Sequence, residues 1–141
     1  MTDKHGLRPP GGMSPPAQAT LPDGVVLDLH ELATEISSIH LARHPDEMAR
    51  YGAIGRDWCI HDNQHLLNWA VLDVCGKLDF GAQVAWLADI LGSRGYPLAN
   101  LADDLRTASD LVRRQLGSAY ANDLAEVLTN GIEFIEPPRT A

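Results

Sequence analysis

The chain has 141 residues, enough for one domain with a substantial core, since 45% of its residues are hydrophobic. Its formal charge of −8 argues against binding to nucleic acid or to an anionic membrane surface, because both depend on clustered Lys and Arg. Only 6% of the residues are aromatic, and Ala and Leu dominate the apolar set, which favours helices over sheets.

The sequence also argues against secretion and membrane insertion. No apolar run reaches the length of about 18 residues that a membrane span needs, and no signal peptide is predicted. Cys59 and Cys75 fall on one predicted helix, about 24 Å apart, so they cannot form a disulfide with each other. Because free thiols fit a reducing compartment, we expect the protein to be cytoplasmic.

The predicted domain organisation is a helical core between two tails. Residues 1–22 are rich in Pro and Gly and are predicted to be a disordered tail. A helical bundle domain is expected over residues 23–136, followed by a disordered tail over residues 137–141. The first helix is predicted over about residues 25–44, where apolar residues recur at spacings of three and four.

The middle of the chain predicts one long helix after a break. Pro45 ends the first helix and suits the first turn of the next, so a short helical turn is expected over residues 46–50. Gly52 then loosens the backbone, and a central helix is predicted over about residues 54–75.

Three further helices are predicted after the central helix. Their expected boundary residues are, in order, Asp79, Gly95, Pro97, Gly117, Ser118 and Gly131. No window shows a convincing strand alternation. The predicted fold class is therefore all-α, a helical bundle of about five or six helices.

A polar cluster on the central helix is the candidate ligand-binding site. It consists of Trp58, Cys59, Asp62, His65 and Trp69. Polar groups inside an apolar helix are costly unless they are paired or bind something. Trp58, Asp62, His65 and Trp69 share one helical stripe, which combines the aromatic surface and convergent polar groups that a planar ligand needs. The alternative is that Asp62 and His65 only pair within the bundle.

Histidines provide a candidate metal site. His40 and His44, and likewise His61 and His65, are four residues apart, a spacing that lets two rings on a helix share one ion. If the two pairs converge, the four residues form one site; the alternative is that they are ordinary polar groups. Cys59 is interpreted as a small buried residue rather than a nucleophile, because its nearest histidine points in another direction on the helix.

Several motifs resemble a known family over residues 43–134. The matching motifs are Arg50-Tyr51-Gly52, Gly55-Arg56, Cys59, Asp62-x-x-His65-Leu66, Ala85-Trp86-Leu87, Leu91, Arg94-Gly95, Leu101 and Leu105. They are similar to the helical module that accompanies cobalamin-binding domains in bacterial sensory and regulatory proteins. The resemblance implies that Trp58, His65 and Trp69 cover cobalamin or another tetrapyrrole. Since the sequence contains no Asp-x-His-x-x-Gly loop, the resemblance also implies that a partner protein with a cobalamin-binding domain supplies that cofactor.

No complete catalytic set is recognisable, so the leading interpretation is a non-catalytic sensory or regulatory module that binds a partner protein or a planar ligand. One alternative is a small metal-dependent enzyme that uses the two histidine pairs. The other is a structural protein whose apolar helix face is covered in a homodimer. Nucleic acids and membranes are not expected partners.

Overall fold

The computed structural model describes residues 14–135 of the chain. It contains a two-stranded hairpin, five α-helices and a short 3₁₀ helix. These elements are β1 (Gln18–Thr20), β2 (Val26–Asp28), α1 (Leu29–Arg43), α2 (Pro45–Val74), α3 (Phe80–Ser93), α4 (Leu98–Gln115), α5 (Ala121–Asn130) and the 3₁₀ helix Gly131–Phe134. The predicted all-α bundle is confirmed. Among the described helices, none is both long and apolar enough to cross a membrane.

The N-terminal hairpin differs from the expected tail. Residues 1–13, like the predicted C-terminal tail, lie outside the described residues, but β1 and β2 pair antiparallel with Ala19 opposite Leu27. Leu21 and Leu27 are each 2% exposed, so this segment contributes to the hydrophobic core. Strands of three residues are too short to show an alternating pattern, and the predicted first helix therefore extended wrongly into β2.

Capping residues set the starts of two helices. Asp79 Oδ1 accepts a hydrogen bond from the backbone N–H of Ala82 at 3.3 Å and caps α3, as predicted. Asp28 Oδ1 accepts one from the N–H of Glu31 at 3.0 Å and caps α1. Asp28 thus lies just before the first helix, whereas the predicted first helix included it.

α2 consists of two helical segments joined at Gly52. This residue has φ 67° and ψ −154°, a backbone conformation that side chains other than glycine rarely adopt. Pro45 begins the first segment, where its missing N–H is not needed. The prediction of a short helical turn followed by a long helix is confirmed.

α2 and α4 face each other across a gap in the bundle. α2 contacts α1, α3 and α5, and α4 contacts the same three helices. In the described part of the chain, however, no Cα atom of α2 lies within 8 Å of a Cα atom of α4. The gap between these two helices is where the candidate site lies.

Candidate ligand-binding site

A cavity of about 350 Å³ lies between α2 and α4, and α3 closes one side of it. Its lining mixes apolar, aromatic and charged residues. They are Glu47, Arg50, Tyr51, Gly55, Trp58, Cys59, Asp62, Asn63, Leu66, Leu87, Leu91, Arg94, Tyr96, Leu101 and Asp104. Arg50 and Arg94 are exposed, so the cavity opens to solvent beside them. Its volume lies at the lower end of the range for small-molecule sites, about 300–1,000 Å³.

The buried end of the cavity, here called the floor, consists of Glu47, Asn63 and Asp104. These polar residues are only 7%, 2% and 5% exposed, respectively. Glu47 comes from the first segment of α2, Asn63 from the second segment, and Asp104 from α4. The floor therefore depends on the bend in α2 and on the distance between α2 and α4.

Glu47 is the centre of a hydrogen-bond network. Its Oε2 atom lies 2.7 Å from Nε2 of His40 and accepts from the Tyr96 hydroxyl at 2.9 Å and from Nδ2 of Asn100 at 2.8 Å. Burial alone would raise the pKa of Glu47, but the hydrogen bond and charge of His40 outweigh burial and hold that pKa below its usual value. Glu47 is therefore ionised at neutral pH.

Asp104 is the second carboxyl group of the floor. Nδ2 of Asn63 donates to its Oδ1 atom at 3.0 Å, which bridges the gap between α2 and α4. Burial raises the pKa of Asp104 to about 6, although the charge of His40 and the hydrogen bond from Asn63 oppose this shift. Among the described residues, the hydrogen bonds to the floor carboxyl groups are made by Oδ1 of Asp104 and Oε2 of Glu47. The second oxygen of each group can therefore accept from a ligand.

His40 lies behind the floor, fully buried between the two carboxyl groups. Its Nε2 atom is 2.7 Å from Oε2 of Glu47, and its Nδ1 atom is 3.7 Å from Oδ1 of Asp104. Burial lowers the pKa of His40, but the hydrogen bond to Glu47 and the negative charge of Asp104 outweigh this effect and raise it. When it is protonated, this ring compensates part of the negative charge of the floor.

Three of the five predicted ligand-binding residues line the cavity. Trp58, Cys59 and Asp62 contribute to its wall from the second segment of α2, and all three are partly buried. Asp62 Oδ1 also lies 3.4 Å from Nδ1 of His61. Aromatic and polar groups on one side of α2 thus face the gap, as the stripe pattern indicates for this part of the helix.

His65 and Trp69 do not line the cavity, which differs from the expected single site. Each is 7% exposed, and their ring centroids lie 5.7 Å apart. From Trp58 to Trp69 the stripe extends about 16 Å along the helix axis. The cavity lining on α2 ends at Leu66, so Trp69 lies beyond it, whereas His65 lies within this stretch but is not part of the lining. Both residues are buried within the bundle.

Cys59 lines the cavity as a neutral thiol. Burial and the charge of Asp104 raise the pKa of Cys59 well above its usual value. Since the thiolate is the reactive form, this environment does not activate Cys59 as a nucleophile. The interpretation of Cys59 as a packing residue is consistent with this chemistry.

The two predicted histidine pairs do not meet at one ion. The ring centroids are 4.5 Å apart in the pair His40–His44 and 4.9 Å apart in the pair His61–His65. In the described residues, no three of these histidines are close enough to share a metal. The fold instead joins His40 and His44 to Asp103 of α4.

The floor residues Glu47, Asn63 and Asp104 were not among the predicted site residues. A signal for Asp104 existed, because Leu101, Asp104 and Ala108 follow the three- and four-residue spacing of the buried stripe of α4. Asn63 and Glu47 had no comparable signal. Asn63 finds its partner 41 residues away in sequence, and Glu47 has one 53 residues away.

Comparison of the chain with family models, curated proteins and solved structures found no match.

Proposed function

We propose that this chain is a non-catalytic sensory module that binds a compact, planar organic molecule in the cavity between α2 and α4. The proposal rests on one observation above all. Two buried carboxyl groups at the floor, Glu47 and Asp104, each use one oxygen in the network and leave the other to a ligand. Polar groups that converge on an apolar cavity are typical of binding sites for small molecules.

The lining favours a flat molecule with apolar faces and one hydrogen-bonding edge. Tyr51 and Trp58 provide aromatic surface, and Leu87 and Leu91 provide apolar contact from α3. The open oxygen of Asp104 accepts from an N–H or O–H group of the ligand. A planar molecule can therefore bury its rings against the walls while its polar edge reaches the floor.

The chemistry of the floor supports binding rather than catalysis. Glu47 and His40 are engaged with each other at 2.7 Å, and the Cys59 thiol is protonated at neutral pH. Nucleophilic catalysis needs a nucleophile within reach of a base that activates it. The Cys59 thiol and the His40 ring do not form such a pair, because the ring already faces two carboxyl groups.

The bend at Gly52 offers a route from binding to signalling. The cavity is lined by residues on both sides of the bend, with Tyr51 before it and Trp58 after it. A ligand that contacts both segments favours the bend angle that fits it, and shifts the population accordingly. Met48 and Ile54, on opposite sides of the bend, are 39% and 42% exposed. A change of angle would therefore move apolar surface that a partner protein can contact.

The resemblance to the cobalamin-associated module supports a more specific version of this proposal. In that version a partner protein presents a tetrapyrrole at the opening of the cavity, and the half-buried Trp58 covers it. A cavity of about 350 Å³ suits a compact ligand, so a tetrapyrrole would lie across the opening. His65 and Trp69 lie away from the cavity lining, which leaves Trp58 as the covering residue in this version.

Tryptophan fluorescence tests the proposal. The chain has three tryptophans, and a variant with Trp69→Phe and Trp86→Phe keeps Trp58 as its single fluorophore. A set of planar organic compounds is titrated into this variant, and cobalamin is titrated together with a cobalamin-binding protein. We expect at least one compound to change the emission of Trp58 in a saturable, one-to-one manner.

A matched pair of variants on α4 tests whether the ligand that changes the emission of Trp58 binds at the cavity floor. Asp104→Asn removes a charged acceptor worth about 1.5 kcal/mol or more, so affinity should fall about tenfold or more. Asp110→Asn removes an exposed carboxyl group on the same helix and should change affinity less than about twofold. If no compound changes the emission of Trp58, or if both variants weaken binding equally, the proposal is wrong.

A further inference from the structure

A second cluster of polar residues lies beside the floor, at the junction of α1, α2 and α4. It consists of His40 and His44, at the end of α1, and Asp103 of α4. One ring nitrogen of each histidine and one carboxylate oxygen of Asp103 lie within 4.8 Å of one another. Nε2 of His44 is 2.8 Å from Oδ2 of Asp103. Two imidazoles and one carboxylate are ligand types that zinc commonly takes.

His40 is the unusual member of this cluster. Its side chain is fully buried, yet its Nδ1 atom has no hydrogen-bond partner among the described residues. Its other nitrogen, Nε2, is held by the carboxylate of Glu47 at 2.7 Å. Histidines that bind metals commonly donate their second ring N–H to a carboxylate in this way, which fixes the ring and its tautomer. In the neutral ring, with its proton on Nε2, Nδ1 carries a lone pair.

The surroundings of Nδ1 favour a positive ion. Oδ1 of Asp104 lies 3.7 Å from Nδ1, so in the neutral ring an acceptor nitrogen faces an acceptor oxygen. Asp103 belongs to the cluster and Asp104 follows it on α4, so two carboxyl groups lie near His40. The guanidinium of Arg43 lies 2.9 Å from Oδ1 of Asp103, and that side chain is 57% exposed.

The geometry points to a binding site for a divalent transition-metal ion of the zinc type, with Nδ1 of His40, His44 and Asp103 as ligands. Magnesium and calcium prefer oxygen ligands, whereas zinc, cobalt, nickel and copper accept imidazole. His44 and Asp103 have side chains that are 21% and 16% exposed, so an ion can reach the site from solvent. Three protein ligands leave one position of a tetrahedral ion for water or another small ligand.

A metal at this site would fasten three elements to one another. It would tie the end of α1 and the start of α2 to α4, next to the network that holds Glu47 in the cavity floor. The inference does not depend on the proposed cavity ligand, because the three metal ligands are not part of the cavity lining. Failure of either proposal leaves the other standing.

Metal titration of chelator-treated protein tests the site. Zn²⁺ is added in a calorimeter, and Co²⁺ is added as a spectroscopic substitute. We expect one equivalent of Zn²⁺ to bind and to raise the thermal unfolding temperature. The Co²⁺ complex should show the intense visible absorption of a four-coordinate ion.

Substitutions locate the bound ion. His44→Gln and Asp103→Asn should each weaken Zn²⁺ binding at least about tenfold, since even residues behind the ligands contribute that much. His61→Gln is the matched control, because it changes a histidine of the other pair, and it should leave the affinity unchanged. Circular dichroism checks that each variant is folded. The Co²⁺ spectrum of the unsubstituted protein gives a readout that does not depend on the variants.

Two outcomes would overturn the inference. One is the lack of stoichiometric Zn²⁺ binding and of a Co²⁺ spectrum in the unsubstituted protein, which would leave a proton on Nδ1 of His40 as the positive charge facing Asp104. The other is that His61→Gln weakens binding as much as His44→Gln, which would place the ion elsewhere.

Discussion

Asp103 and Asp104 are adjacent in sequence, yet folding shifts their pKa values in opposite directions. Burial raises the pKa of Asp104, because its carboxyl group lies at the floor of the cavity. Replacing it with Asn removes the ionisable group but keeps its size and an oxygen that can accept from Asn63. The substitution therefore isolates the free energy that ionisation of this carboxyl group costs the folded protein.

The magnitude follows from the pKa of Asp104, which rises from 3.8 to about 6 on folding. Between these values the folded state holds more protons than the unfolded state, so the free energy of unfolding decreases as the pH rises. The resulting penalty is about 1 kcal/mol at pH 4.5 and about 3 kcal/mol at pH 7.5. The unsubstituted protein should therefore lose about 2 kcal/mol of stability relative to Asp104→Asn over this interval.

Asp103→Asn is the control with the opposite sign. Burial opposes ionisation of Asp103, but the hydrogen bond with His44 and the charge of Arg43 outweigh burial and lower the pKa of this carboxyl group. Its stabilising effect is present above the unfolded pKa of 3.8 and is lost as the pH falls through the lower folded value. Asp103→Asn should therefore be less stable than the unsubstituted protein by a nearly constant amount from pH 7.5 to pH 4.5.

Urea unfolding followed by circular dichroism at four pH values from 4.5 to 7.5 measures all three proteins. The reasoning is refuted if the difference between the unsubstituted protein and Asp104→Asn does not change with pH. It is also refuted if Asp103→Asn shows the pH dependence expected for Asp104→Asn, because the two carboxyl groups would then have been assigned to the wrong environments.

Two further predictions concern the first segment of α2 and its bend. Glu47→Gln should lower the free energy of unfolding by about 3 kcal/mol at pH 6, below the raised pKa of His40, because it leaves the buried, protonated ring without its closest counter-charge. The exposed neighbour substitution Asp46→Asn should cost less than about 1 kcal/mol; equal effects in urea unfolding would show that Glu47 is not the network centre. Gly52→Ala should destabilise by about 1–3 kcal/mol, since the added Cβ meets no atom within 4 Å and the strain lies in the backbone alone. Gly117→Ala also adds a Cβ in open space and should cost less than about 0.5 kcal/mol; a similar cost at both positions would contradict the bend.

Local signals in the sequence were sufficient to predict most of the helices. Pro45, Gly52 and Asp79 each act through their own backbone or their immediate neighbours, so the start of α2, its bend and the start of α3 were predictable. The strands β1 and β2 were not predictable, because each has only three residues. They depend on pairing with each other and on the burial of Leu21 and Leu27 in the core.

The site was less predictable than the fold because it depends on which helices are kept apart. The stripe on α2 indicated Trp58 and Asp62, but the sequence does not show that His65 and Trp69 are left out of the cavity lining. The pairing of Asn63 with Asp104 exists only because α4 faces α2 across the gap. Such contacts follow from the packing of the whole bundle and have no local signature.

The central claim is that a small planar molecule binds between α2 and α4, and a fragment titration followed by NMR tests it most directly. In ¹H–¹⁵N spectra of the labelled protein, the account predicts saturable shifts for the amides of Tyr51, Trp58 and Asn63 on α2 and of Asp104 on α4. The amides around Trp69 should move little. Shifts concentrated around Trp69, or no saturable shift of the cavity amides by any fragment, would contradict the account.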